Sequence, residues 1–165
     1  MPKYELDTID QQILENLQND ARLSNVDLAR TVGLSPSPCL RRVARLQKTG
    51  VIRGYATLLD AEAVGLPVSV FVNVTLEKQI EPALETFEME IRAHREVMEC
   101  YLMTGDADYL LRVVTSDLAA YERFLLNHLT RIPGVASIKS SFALKQVAYR
   151  TALPIAAEGR SATKK

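Results

Sequence analysis

One stretch restricts the fold more than any other: LSPSPCLRRVARLQKTG, from Leu34 to Gly50. It carries Arg41, Arg42, Arg45 and Lys48 and no acidic residue. At about 100° per residue, Arg41, Arg45 and Lys48 fall within about 60° of one another on a helical wheel, with Arg42 on the flank. Cys39, Leu40, Val43 and Leu46 gather on the opposite side. Ser37 suits the N-cap, Pro38 the first helical position and Gly50 the residue just past the end. The pattern predicts a short amphipathic helix with an apolar side that needs a core and a cationic outer side. A solvated surface and a helix laid into the DNA major groove both fit that description.

The preceding residues favour the groove. Leu6 to Asn19 reads as a helix capped by Asp7, with Ile9, Ile13, Leu14 and Leu17 as an apolar stripe. After the turn NDARLSN, Ser24 caps a second helix in a variant capping box with Asp27. Its apolar residues are Val26, Leu28, Ala29 and Val32, and Gly33 ends it. Helix, short turn and basic helix make a helix-turn-helix, which the first helix completes as a three-helix core. Arg41, Arg42, Arg45 and Lys48 are then candidates for guanine edges or phosphates. Ser35 and Ser37, before the basic helix, are candidates for phosphate or for turn and cap alone. Asn25, at the start of the second helix, is a further DNA-binding candidate. VIRGYATLLD reads as a strand, which would give the domain a winged-helix character, and DAEAVGLP as a linker broken by Gly and Pro.

Charge distribution agrees. The net charge of the 165 residues is zero. Yet Gly33 to Gly54 holds Arg41, Arg42, Arg45, Lys48 and Arg53 without an acid, while acidic residues outnumber basic ones from Ala61 to Pro154. The cationic potential is therefore local, as one phosphate-facing element requires. The N-terminus MPKYELDTID has no apolar leader core and no apolar run reaches the length of a membrane span, so a cytoplasmic protein is expected. Cys39 and Cys100 sit in apolar patterns and read as buried free thiols; His94 and His128 are isolated in sequence, so no metal or cofactor is expected.

The remaining chain alternates. Val68, Val70, Val72 and Val74 share one face of a strand, and Ser69, Phe71, Asn73 and Thr75 the other. Glu81–His94 is a helix, Val97–Thr104 and Tyr109–Val114 are strands, Asp117 caps a helix, and Ala136–Tyr149 is the last strand region. The order β-α-β-β-α-β predicts an antiparallel ferredoxin-like sheet with both helices on one face. The fold class is α+β. The expected domains are residues 1–60, a linker 61–67, residues 68–154 and a flexible tail 155–165. Phe71, Met98, Cys100, Leu102 and Phe142 make the strands apolar on more than one face, which points to a homodimer pairing two basic helices over a palindrome. In TGDAD, Gly105 permits backbone angles closed to other residues, and Asp106 and Asp108 bring two carboxylates to one turn. Such a turn can hold the carboxylate and ammonium of a free amino acid, or be a plain hairpin.

The segments LDTIDQQILENLQNDARLSNVDLA, VGLSPSPCLRRV, RLQKTGVIRGY, TGDADYLL and RIPGV resemble, in order, those of the Lrp/AsnC family of transcription regulators over roughly Leu6 to Pro154. The resemblance implies an N-terminal DNA-binding domain and a C-terminal domain that senses amino acids. It implies dimers that assemble into tetramers or octamers around which DNA wraps, with the effector bound between dimers. It carries the sensing role onto Thr104, Gly105, Asp106, Asp108 and Tyr109, with Ser141 facing them from a neighbouring subunit. Leucine-responsive members tend to have an aromatic residue where this chain has Ala107 and a tyrosine where it has Ser141, so a different or larger amino acid is expected here. The partners implied are double-stranded DNA and a free amino acid. An architectural, nucleoid-associated DNA-binding protein with little effector response is the competing function. No nucleophile set, phosphate loop or metal cluster that would mark an enzyme is readable.

Overall fold

The computed structural model describes residues 5–155. It divides into two compact units, one of residues up to Thr57 together with a segment from Ala148 onward, the other Leu58–Val147.

The first unit is built on three helices, α1 (Thr8–Asn19), α2 (Asn25–Thr31) and α3 (Pro36–Lys48). Asp7 caps α1 by accepting the Asp10 amide at 2.8 Å, and Ser24 caps α2 by accepting the Asp27 amide at 3.1 Å. α3 begins two residues earlier than its sequence suggests: Ser35 is the N-cap and Pro36 the first helical residue, which places Ser37 and Pro38 inside the first turn. Proline needs no hydrogen-bond acceptor at that position, so the earlier start costs nothing. Gly50 ends the helix at φ 75°, in the left-handed region. Ile13, Leu14, Leu28, Ala29, Val32, Cys39 and Leu46 form the core. Leu40 lies outside it and is 57% exposed.

The segment after α3 forms no strand among the described residues. A strand needs a ladder partner, and the described residues of this unit supply none; Val51 and Ile52 instead lean on the helical core. The end of the chain also departs from expectation. From Ala148 it belongs to the first unit and not to the second. The Leu153 backbone is held by Gln18 through bonds of 2.6 and 3.1 Å, and Ile155 packs on the helical core. Of the tail expected from residue 155, positions 156–165 lie outside the described residues.

The second unit opens with a compact turn, not a bare linker: Asp60 accepts the Ala63 amide at 2.8 Å, and backbone bonds run from Val64 to Asp60 and from Leu66 to Ala61. β1 (Val68–Leu76), α4 (Glu81–Arg92), β2 (Val97–Leu102), β3 (Tyr109–Thr115), α5 (Leu118–Asn127) and β4 (Val135–Phe142) follow. All pairings are antiparallel and the strand order is β2-β3-β1-β4. β4 ends at Phe142, short of the expected Tyr149: its pairing with β1 runs to Val70, one further backbone bond joins the Ala143 amide to the Ser69 carbonyl, and β1 itself begins at Val68. Val70, Val72, Val74, Tyr109, Leu111 and Val113 face α4 and α5, meeting Phe87, Ile91, Tyr121 and Phe124. Burying each such side chain is worth about 1.5–3 kcal/mol. The opposite face carries Phe71, Asn73 and Thr75 and no helix.

Cys39 is buried, as its pattern predicts, but Cys100 is exposed, since β2 is an edge strand. Desolvation raises both thiols above their ordinary range. His94 and His128 are distant in sequence yet adjacent in space, their ring centroids 4.4 Å apart at the ends of α4 and α5. Among the described residues no group of three possible ligands surrounds a metal position, and no helix is long and apolar enough to cross a membrane.

Candidate DNA-reading helix and ligand cavity

The outer side of α3 presents Ser37, Leu40, Arg41, Ala44 and Lys48, all exposed. These positions follow helical spacing and form one continuous stripe. Arg42 and Arg45 do not share its freedom. Arg42 donates to Asp7 at 2.6 Å and to Asp10 at 2.9 Å, and Arg45 donates to the other carboxylate oxygen of Asp10. The Asp7 carboxyl is held below its ordinary range, chiefly by Arg42 and next by the Asp10 amide. Ser35 makes no side-chain capping bond, which leaves its hydroxyl available beside the amides that open the helix. Asn25 donates from Nδ2 to the Pro36 carbonyl at 2.9 Å, and its Oδ1 has no partner among the described residues. Its amide therefore pins the start of α3 to α2. The acidic partners of the two arginines lie more than thirty positions upstream; Asp10 sits on the buried stripe of α1, and a carboxylate there was the one sequence sign that basic residues must come to meet it.

On the helix-free face of the sheet, an open cavity of about 380 Å³ is lined by Asn73, Thr75, Met103, Thr104, Asp106, Ala107, Ser137 and Lys139. That lies within the size range of small-molecule sites. The cross-strand register assembles it: Asn73 pairs with Lys139 and Thr75 with Ser137, all on one face. The tip between β2 and β3 adds Thr104, Asp106 and Ala107 around Gly105, whose φ is 126°. The cavity thus combines a cation, an anion, hydroxyls and an amide with the apolar Met103 and Ala107.

The turn's two aspartates part company. Asp106 is exposed at the cavity, but Asp108 is 4% exposed and its carboxylate accepts the Leu76 amide at 2.7 Å and the Gln79 side-chain amide. Its backbone bonds Val74 and Met103. Asp108 therefore braces the turn against β1. Tyr109 points to the helical side, stacked on Phe87 at 4.4 Å and donating to Glu88 at 3.2 Å. Burial, with Glu88 adding to it, raises its phenol well above the ordinary range. Ser141 lies opposite Phe71 on the open face, one further pair along the row from Lys139, and does not line the cavity. Asn73, Thr75, Met103, Ser137 and Lys139 were missed from sequence; alternation along β1 and β4 hinted at all of them but Met103, which follows β2.

A small helical unit with an exposed basic-helix stripe, followed by a four-stranded sheet with a polar cavity, defines a ligand-responsive DNA-binding regulator. The chain belongs to the Lrp/AsnC family of transcription regulators: residues 69–153 match the Lrp/AsnC ligand binding domain and residues 6–53 a winged helix-turn-helix DNA-binding domain. It is 56% identical over 151 residues to the Bkd operon transcriptional regulator of Pseudomonas aeruginosa, covering 92% of this chain and 99% of that one. It is 40% identical over 154 residues to the leucine-responsive regulatory protein of Escherichia coli K12, covering 93% and 94%. A transcriptional regulator from Neisseria meningitidis, solved as a complex with L-Met, superposes with a TM-score of 0.85 at 41% identity, covering 91% of this chain and 97% of that one. The protein is a DNA-binding transcription regulator with a ligand-binding domain.

Proposed function

We propose that the cavity beside the β2–β3 tip is the effector site and that it takes a free α-amino acid. The juxtaposition of Asp106 and Lys139 in one lining carries this reading. Asp106 receives the ammonium, Lys139 the carboxylate, and Asn73, Thr75, Thr104 and Ser137 complete the hydrogen bonds. Met103 and Ala107 leave room for an apolar side chain, in keeping with the L-Met found in the Neisseria relative. Gly105 contributes conformation and not a side chain. Asp108 and Tyr109 act one layer away by holding the turn.

The open face carries the exposed Phe71 and is the surface for homodimer formation and further assembly to a tetramer or octamer, with Ser141 reaching a neighbouring copy. In DNA binding, Arg41 and Lys48 on the outer stripe of α3, with Ser35 and Ser37, meet phosphates and base edges. Asn25 acts by fixing the start of the helix. The protein works in the cytoplasm, at the nucleoid.

A thermal-shift screen of the common L-amino acids tests the effector site, because a native-state ligand raises the melting point by mass action. At least one should stabilise the wild type and fail to stabilise Asp106→Asn. No shift with any amino acid, together with unchanged DNA affinity, would leave an architectural DNA-binding protein as the better description.

A further inference from the structure

The buried carboxylate of Asp10 has no part in the functions described so far. It is 1% exposed, on the core-facing side of α1, yet both its oxygens are bonded to guanidinium groups of α3. Removing an ionised carboxylate from water costs several kcal/mol unless charges and hydrogen bonds compensate. Arg42 and Arg45 are that compensation, so their attachment is a condition of the packing and not an accident of a mobile surface. Asp7 reinforces it: one of its oxygens caps α1 through the Asp10 amide and the other accepts from Arg42. Two carboxylates and two guanidiniums form a neutral cluster spanning α1 and α3.

The cluster has two consequences. It defines how α3 is rotated about its own axis, since Arg42 and Arg45 grip the same carboxylate one turn apart. It also removes half of the helix's positive charge from the DNA-facing set. We propose that Asp10 is a positioning residue for DNA reading: it holds Arg42 and Arg45 on the protein, sets the orientation of α3, and leaves Arg41 and Lys48 as the helix's DNA-facing cations. This rests on α3 being the DNA-reading helix. Specificity follows, because cations able to reach any phosphate add affinity without adding discrimination.

The salt dependence of binding separates a clamped arginine from a phosphate-bound one, since each phosphate contact contributes about 0.9 to the slope of log K against log salt. The full-length chain is titrated by fluorescence anisotropy, over a range of KCl, into a duplex selected by the wild type from a randomised pool and into poly(dI–dC). Arg41→Gln should weaken both and flatten the slope by about one unit. Arg45→Gln and Arg42→Gln should weaken the selected duplex by about tenfold, with slope and poly(dI–dC) affinity unchanged. Asp10→Asn, shown to be folded by circular dichroism, should bind poly(dI–dC) more tightly with a steeper slope, and its ratio of selected to non-selected affinity should fall; adding Arg45→Gln should reverse part of that steepening. A flattening of about one unit in both Arg42→Gln and Arg45→Gln places these side chains on phosphates and overturns the clamp, whether or not Asp10→Asn folds. No effect of Arg41→Gln on either duplex overturns the reading of α3 itself, and the clamp with it.

Discussion

The sharpest test of the second unit is Asp108. The residue lies in the turn that carries the effector site, and family resemblance assigns it to the ligand, whereas the geometry commits it to the fold. Its carboxylate accepts the Leu76 amide at 2.7 Å and the Gln79 side chain, at 4% exposure. Asp108→Ala strands the amide of Leu76, itself 5% exposed, at the bulged end of β1. A buried unpaired donor costs about 1–3 kcal/mol, and losing a hydrogen bond to a charged group is of similar size, so about 2–3 kcal/mol is a fair total. At about 4–8 °C per kcal/mol for a domain of this size, melting of the second unit should drop by roughly 10–20 °C. Asp108→Asn keeps one acceptor for Leu76 and should lose about half as much. Melting is followed by calorimetry on the full-length protein, with and without a stabilising amino acid. Asp106→Asn provides the contrast, with melting near wild type and no ligand-induced shift. If Asp108→Asn melted like the wild type but had lost the shift, its carboxylate would be a ligand group and the bracing argument would be wrong.

Three further outcomes are expected. Lys139→Ala should abolish stabilisation by the amino acid while leaving the unliganded melting point within a degree or two of wild type, as is usual for exposed substitutions; an undiminished shift would remove Lys139 from the site. Leu46→Ala, in the fully buried core of the first unit, should cost about 2–5 kcal/mol in chemical denaturation and abolish DNA binding at the temperatures where that unit melts. The Asp7 carboxyl is held below its ordinary value of 3.8, first by Arg42. A depressed folded-state value stabilises above the unfolded value and is lost as pH falls through the folded one. Acid titration of stability should therefore show a loss only below about pH 4, reduced in Asp7→Asn, and worth under about 1 kcal/mol because the pair is half-exposed.

Local pattern revealed most of the secondary structure. Asp7, Ser24 and Asp117 are caps in the structure because capping depends on a side chain and an amide three residues on. The alternation in Val68–Leu76 became a buried valine row for an equally local reason. The errors arose where a partner far along the chain decides. Val51–Asp60 has strand-like residues but, among the described residues, nothing to pair with. Leu40 sits within an apolar pattern, yet the core closes without it. Arg42 and Arg45 look free on a helical wheel, which contains no α1. The cavity was half legible: Thr104 and Asp106 belong to the turn, but Asn73, Ser137 and Lys139 join it only through the register of β1 with β4.

The sequence by itself determined that this is a helix-turn-helix joined to a βαββαβ sheet, because caps, periodicities and turn residues act over a few positions. It also determined that one helix carries the positive charge. Only the tertiary structure decided which of those charges face outward and which aspartate of the TGDAD turn faces the cavity. A buried carboxylate must be satisfied by whatever group the fold brings to it: Arg42 and Arg45 for Asp10, and the Leu76 amide for Asp108.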